Sequence, residues 1–441
     1  MRLPLGDLRA PALTLALLRS GVAAIALASP EASVARAVSA RDPSLRLCVD
    51  GARWLGTTVP FSPRAVDLVE LALRASGLLT LLGLWTRWSV VALLLSFGYV
   101  SAAVQCEGTA FHDMHLLWML CLLAVSPCGE ALSLDRWARG GSVLGDGPER
   151  ASGEAVALAR ALLAMVYFFP GLWKLWTSGP AWVLGDNLRN QLWYKWFEHG
   201  HVPAWRIDRA PWLCSLGALS VLALELGFPA LVLTARGRVP AMLGGITFHA
   251  LSAVFLAIHF PSLLVCYVVL LDGEALRQRG LRYLSRAGAR EGDGGGRARA
   301  RGLWWVRGVG GALCVAVAVQ GARGRMQAWP FACYPTFEYI APDTVEDLAA
   351  EVALEGGGVL WLRAPRARPQ GAWGLTWRLL GRYGGGVDLA ALGSWARATA
   401  ARQGHARALA SARSVRYWAE RWSADPDRAG EGPLERRPVG E

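Results

Sequence analysis

Among the ionisable side chains within or at the ends of apolar runs, His115, Lys174, Glu225 and His249 stand out. Titratable groups at membrane depth are costly, so they face the protein interior and are candidates for function. Lys174 carries the most specific chemistry. Only two of the 46 basic residues are lysines, Lys174 and Lys195; the rest are arginine. A guanidinium cannot be deprotonated in a protein, whereas an amine can lose its proton and act as a neutral base. Lys174 lies in Tyr167-Phe168-Phe169-Pro170-Gly171-Leu172-Trp173-Lys174-Leu175-Trp176, near the end of an apolar run. A removable proton fits there. The plainer alternative is a lysine that snorkels to the interface. Lys195, in Trp193-Tyr194-Lys195-Trp196, reads as the interfacial anchor of an aromatic loop.

His112 and His115 are three apart and share a helix face. No third ligand sits nearby, so no metal is expected, and histidines bonded to backbone are the plain alternative. His249 stands in the middle of an apolar run, where a satisfied core polar group is the competing explanation. A buried Glu225 beside a lysine would be paired or protonated. His115 and Lys174 fall toward one face of the membrane, and Glu225 and His249 lie on helices that could line the same cavity.

These residues need a helical frame. The 441 residues are 53% hydrophobic and 18% charged, against about 25% charged in an ordinary soluble domain. That deficit rules out a soluble globular enzyme as the default. Nine apolar runs suit spans or half-spans: Pro11–Ser29, Ala65–Leu84, Trp88–Val104, His112–Pro127, Glu154–Leu175, Ala210–Thr234, Pro240–Ile258, Pro261–Leu271 and Leu303–Gln320. The expected fold is an all-α polytopic membrane bundle of about 8–9 transmembrane helices, one short or broken at His259-Phe260-Pro261, over residues 1–325.

The net charge of +12 comes from arginines between the apolar runs, not on one amphipathic face. It reads as a topology signal rather than a nucleic-acid footprint. Residues 272–302 form a basic Gly/Arg-rich linker placed in the cytoplasm. The loops around Cys106 and Thr177–Arg209, and everything after Gln320, then fall outside. Glu31–Arg64 conflicts mildly, being placed outside with several arginines.

Residues 326–423 change character and suit a small α+β appendage outside the cytoplasm. Thr344–Arg363 reads as a hairpin turning at Glu355-Gly356-Gly357-Gly358, Val387–Arg402 as a helix and Val415–Trp422 as a strand. The Pro/Gly/charge-rich tail, 424–441, reads as disordered. The eight cysteines have no CxxC spacing and yield no disulfide framework. Cys106 and Cys333 both fall outside, which leaves a disulfide between them open.

The order of these pieces resembles a known family. His115 to Asp135 (H-LLWMLCLLAV…SLD), YFFPGLWKLWTSGPAWVLGDNLRNQLW over Tyr167–Trp193, Glu225, and FHALSAVFLAIHF over Phe248–Phe260 resemble the HTTM domain. That domain is the membrane part of vitamin K-dependent gamma-glutamyl carboxylase and has many bacterial relatives. Gln327-Ala328-Trp329-Pro330-Phe331 and Tyr334-Pro335-Thr336-Phe337 look like the segment that follows the last span in bacterial members. The likeness covers roughly residues 10–340, and its most specific element is Tyr-x-x-x-Gly-x-x-Lys-Leu.

The resemblance implies a quinol-linked carboxylase or oxygenase. In the carboxylase a lysine of that element is held to deprotonate vitamin K hydroquinone, and Lys174 matches it. His115 and His249 match histidines of the family site, and Glu225 falls near an acidic position. Phe169, Trp173 and Trp176, with Glu225, are the expected quinone-binding residues, and reduced vitamin K or another quinol is the expected cofactor. The sequence departs from the family in having Trp173-Lys174 where the carboxylase has two adjacent lysines, and a small appendage in place of its large extracytoplasmic domain. The alternative is a non-catalytic membrane protein that binds a lipid, a quinone or a partner protein. Either way the chain is expected to be a multi-pass protein of a bacterial inner membrane, with no nucleic-acid partner.

Overall fold

A computed structural model describes residues 8–107, 113–286, 303–325, 328–332, 337–365, 370–381 and 388–440. The first half holds α1 (Ala12–Ala28), α2 (Glu31–Ser39), α3 (Pro63–Leu82), α4 (Thr86–Val104), α5 (Met114–Val125), α6 (Leu134–Ala138), α7 (Arg150–Ser178), α8 (Ala181–Leu184) and α9 (Asn187–His199). The second half continues with α10 (Pro211–Leu233), α11 (Arg238–Leu256), α12 (Pro261–Cys266), α13 (Gly273–Arg286) and α14 (Leu303–Arg323). The appendage follows as β1 (Thr344–Leu354), β2 (Val359–Arg363), α15 (Gln370–Leu379), α16 (Leu389–Arg402), α17 (Ala406–Ala410), β3 (Ala412–Ser423) and β4 (Glu435–Pro438).

Among the described residues, α4, α7, α10, α11 and α14 are long and apolar enough to cross a membrane, and the bent pair α1–α2 makes a sixth if taken as one span. Their outward faces carry exposed Leu95, Leu216, Leu219, Leu251, Val254 and Val315, an apolar belt that a water-soluble protein would bury. The chain is a helical membrane protein with a small C-terminal antiparallel sheet. Among the described residues, the other expected spans do not reach that length and apolarity, for physical reasons. With 12 residues, α5 reaches roughly 18 Å at 1.5 Å per residue, short of a bilayer. It is tolerated because Leu116, Leu117, Met119 and Leu120 are buried by protein. The break at Phe260-Pro261 leaves only α12 and a 3-10 turn, Tyr267–Leu270. In α3, Arg64, Asp67 and Glu70 occupy the first half and Arg74 follows, although Leu71 and Leu78 face outward.

Local signals set the ends. The Ser62 hydroxyl accepts from Ala65 N ahead of Pro63, and Gly83 closes α3 at φ 64°. The Asp388 carboxylate caps α16. The hairpin forms with Ala353 opposite Val359 and Gly357 at φ 86°. The sheet order is β2-β1-β3-β4. Leu348, Ala350, Val352 and Leu362 pack against Leu375, Leu379, Leu392 and Trp395 of α15 and α16.

Three expectations are corrected. The segment after Ser423 contains a 3-10 turn, Pro426–Arg428, and β4 paired to β3, with Arg437 opposite Ala419. Its charges are used: Arg436 donates to Glu420 and Arg421 pairs with Glu435. Cys106 is bonded to Cys48, because a bridge between Leu47 and Glu107 sets the neighbouring cysteines side by side; Cys333 lies outside the described residues. Much of the 272–302 linker is the helix α13, and its Gly-rich part lies outside the described residues.

Candidate active site

The helix period of α7 places Tyr167, Gly171 and Lys174 on one face. Pro170 lies on this wall and, lacking an N–H, leaves the Val166 carbonyl without its usual helical donor. Opposite this face runs α10 with Val221, Glu225 and Phe228. Gly171 permits the approach: a Cβ there would stand 2.8 Å from Glu225 Cβ. The contact brings Lys174 Nζ to 2.5 and 2.8 Å from the two Glu225 carboxylate oxygens. Both side chains are buried, so the pair is shielded from water, and each satisfies the other's charge. Lys174 Nζ also lies 5.4 Å from the Trp182 ring centroid.

The pair lines a cavity of about 1050 Å³, open mouth included. Met114, His115 and Trp118 enter it from α5, and Phe248, His249 and Ser252 from α11. Phe260 and Leu263 close one side at the helix break. The structure therefore brings His115, Lys174, Glu225 and His249 into one cavity. His112 lies outside the described residues.

The segment after α14 adds Ala332 and Phe337 to the cavity lining. It is tied down by polar bonds. Trp118 Nε1 donates to Pro330 O at 2.6 Å, Trp182 Nε1 to Phe337 O at 2.7 Å and Ser178 Oγ to Glu338 O at 2.6 Å. Burial pushes the Glu338 carboxyl above its ordinary range, although a Tyr339 hydrogen bond and the Lys174 charge pull the other way.

Three expected quinone-binding residues are not among the cavity lining. Phe169 and Trp173 face α14: a Cβ at Gly321 would stand 2.3 Å from Phe169 Cδ2, and Trp173 Nε1 donates to Gly321 O at 2.8 Å. Trp176 is 79% exposed. Sequence proximity to Lys174 suggested all three, but residues 169 and 173 fall on a different helix face from 167, 171 and 174. The aromatic wall is instead Trp118, Tyr167, Trp182, Phe248, Phe260 and Phe337. Of these, Tyr167 had a legible signal, its i, i+7 spacing from Lys174.

Lys195 is not an interfacial anchor. It is a buried residue of α9, and Nζ meets Glu198 Oε2 at 2.6 Å. Trp373 of α15 covers this spot, donating from Nε1 to Glu198 O at 3.1 Å. Lys195 Nζ lies 5.8 Å from the Phe337 ring centroid.

No curated protein and no solved structure matches this chain. The family model of the HTTM domain matches residues 53–272, from ahead of α3 to the residue before α13, and so includes α5, α7, α10 and α11 with all four ionisable residues of the cavity. The chain belongs to the HTTM domain family.

Proposed function

We propose that this membrane protein is a quinol-linked enzyme of the carboxylase or oxygenase type, with the Lys174–Glu225 pair as its proton acceptor. The observation that carries the reading is the cavity itself: a buried amine and two histidines face one apolar, aromatic-walled space. The residues suit a flat ring with polar substituents. Trp118, Phe248 and Phe337 offer apolar faces, and the His249 Nδ1 takes no hydrogen bond among the described residues.

A bound quinol would supply the redox chemistry with oxygen. The protein's part is proton handling. Lys174 and Glu225 act as one acid–base unit, sharing a proton between amine and carboxylate. With its proton passed to Glu225, the Lys174 nitrogen has a lone pair that can accept a proton from a hydroxyl, a form an arginine cannot supply. His115 and His249 offer further nitrogen atoms to the ring's substituents. Ala332 and Phe337 add apolar surface to the wall beside these groups. The arginine pattern supports placing the Lys174 end and the appendage outside the cytoplasm. A second reading, a quinone-binding protein without turnover, is favoured by the completeness with which Lys174 and Glu225 satisfy each other.

The test uses purified protein in lipid nanodiscs with a reduced naphthoquinol and oxygen. Oxygen uptake above the empty-nanodisc control is expected, together with quenching of tryptophan fluorescence by the oxidised naphthoquinone. Quenching without oxygen uptake supports the second reading. Neither binding nor turnover overturns both.

A further inference from the structure

Beside the ion pair, Tyr167 and His249 of the cavity lining join Tyr267, which is not part of the lining, in a chain of three polar side chains. Tyr167 Oη lies 2.6 Å from His249 Nε2 and is also hydrogen-bonded to Tyr267 Oη. All three residues are buried, at 3%, 4% and 3% exposure in that order. They come from α7, α11 and the 3-10 turn beyond the Phe260-Pro261 break. The packing is made for them. A Cβ on Gly245 would stand 2.1 Å from Tyr267 Oη, so only glycine lets α11 pass there. Tyr167 stacks on Phe228 with ring centroids 4.0 Å apart.

Proton counting gives this chain a direction. Each phenol has one proton to donate, and a neutral imidazole has one. If Tyr267 donates to Tyr167 and Tyr167 donates to His249 Nε2, both phenol protons are used and the imidazole proton falls on Nδ1. Among the described residues, Nδ1–H is then the one group of the three left unmet, on a ring that lines the cavity. If the chain runs the other way, the Tyr267 proton has no acceptor among the described residues, and Nδ1 is left as a bare acceptor. That direction leaves two buried groups unmet instead of one, each with its desolvation cost.

We infer that Tyr167 and Tyr267 are positioning residues that hold His249 as an Nδ1–H donor, and that this donor receives an oxygen of the ligand while the Lys174–Glu225 pair meets a hydroxyl. The cavity thereby selects an aromatic ring bearing two oxygens over one bearing a single hydroxyl. For its ligand the inference rests on the quinol reading; for the tautomer it does not.

The test has two arms on the full chain in nanodiscs. In the first, ¹⁵N-histidine NMR reads the tautomer of His249, assigned by the signal lost in His249→Gln. The wild type is expected to carry the proton on Nδ1, and Tyr167→Phe, which removes one hydroxyl, to give a mixture of tautomers. A wild-type proton on Nε2, or an unchanged tautomer in Tyr167→Phe, overturns the inference; the wild-type spectrum decides alone if the variant does not fold. In the second arm, tryptophan quenching compares 1,4-naphthoquinone with 1-naphthol. Tyr167→Phe is expected to weaken the quinone by about tenfold and the naphthol by less than about twofold. Equal losses for both overturn the two-oxygen selection. A wild type that binds neither probe contradicts the quinol reading and the ligand part, and the tautomer arm still decides the rest.

Discussion

Both lysines of this chain are buried against glutamates, Lys174 with Glu225 and Lys195 with Glu198. Burial alone does not account for them, since Arg19 and Arg136 are buried too; what the two lysines share is a close glutamate partner. The four ionisable residues of the cavity were legible because each interrupts an apolar run, which is a local signal. The aromatic walls were not. Trp182, Phe260 and Phe337 come from segments far apart in sequence, and Phe169 and Trp173 turn toward α14. Gly171 shows how tightly the site is specified. Gly171→Ala is expected to push α10 from α7 at Glu225, lowering stability by about 1–3 kcal/mol and weakening quinone binding. Thermal unfolding of the purified variant checks this, and a melting temperature equal to wild type contradicts the close contact.

At the scale of elements, α7 is the organising piece: one face carries Tyr167, Gly171 and Lys174, and another packs Phe169 and Trp173 on α14. Hydropathy located the helices well, since burial in lipid or protein demands the same apolar runs. Hydropathy alone does not tell a spanning helix from a shorter one buried by its neighbours, such as α5. The cysteine pairing was illegible for a related reason: a bridge between residues 47 and 107 is a tertiary fact. The Cys48–Cys106 bond closes a loop with a sequence separation of 58 residues. Cys48→Ser is expected to destabilise the protein by about 2–4 kcal/mol. Thermal melts with and without dithiothreitol read this. A reductant-insensitive wild type, or a variant that melts with it, contradicts the pairing.

For the molecule as a whole, the appendage is clamped to the membrane part. Arg206 donates to Asp427 at 2.9 Å, Ser394 Oγ donates to Asp42 at 3.1 Å, and Trp373 packs on Phe197. Alternation made β1, β2 and β3 legible, whereas β4 hides in a charge-rich tail whose partners lie across the sheet. Glu420, 1% exposed, holds that edge between Arg363 and Arg436, each bonded to it. Burial pushes its carboxyl up, but the bonds and charges of the two arginines outweigh burial and keep it below the usual range. A lowered folded value means the triad's contribution is complete above the ordinary glutamate value of about 4.3 and is lost as pH falls through the lowered one. Hydrogen exchange of the β3 and β4 amides is expected to show steady protection from neutral pH to about 5 and a loss in more acid solution. Glu420→Gln should lack that acid step, and an identical profile would contradict the clamp. The family membership of residues 53–272 and the cavity they enclose converge on Lys174. The central claim is therefore tested most directly by oxygen-dependent quinol oxidation in Lys174→Arg, which keeps the charge and removes the accessible neutral base. A rate at least about 100-fold below wild type, with naphthoquinone binding retained, is the expected result; equal rates would contradict Lys174 as the base.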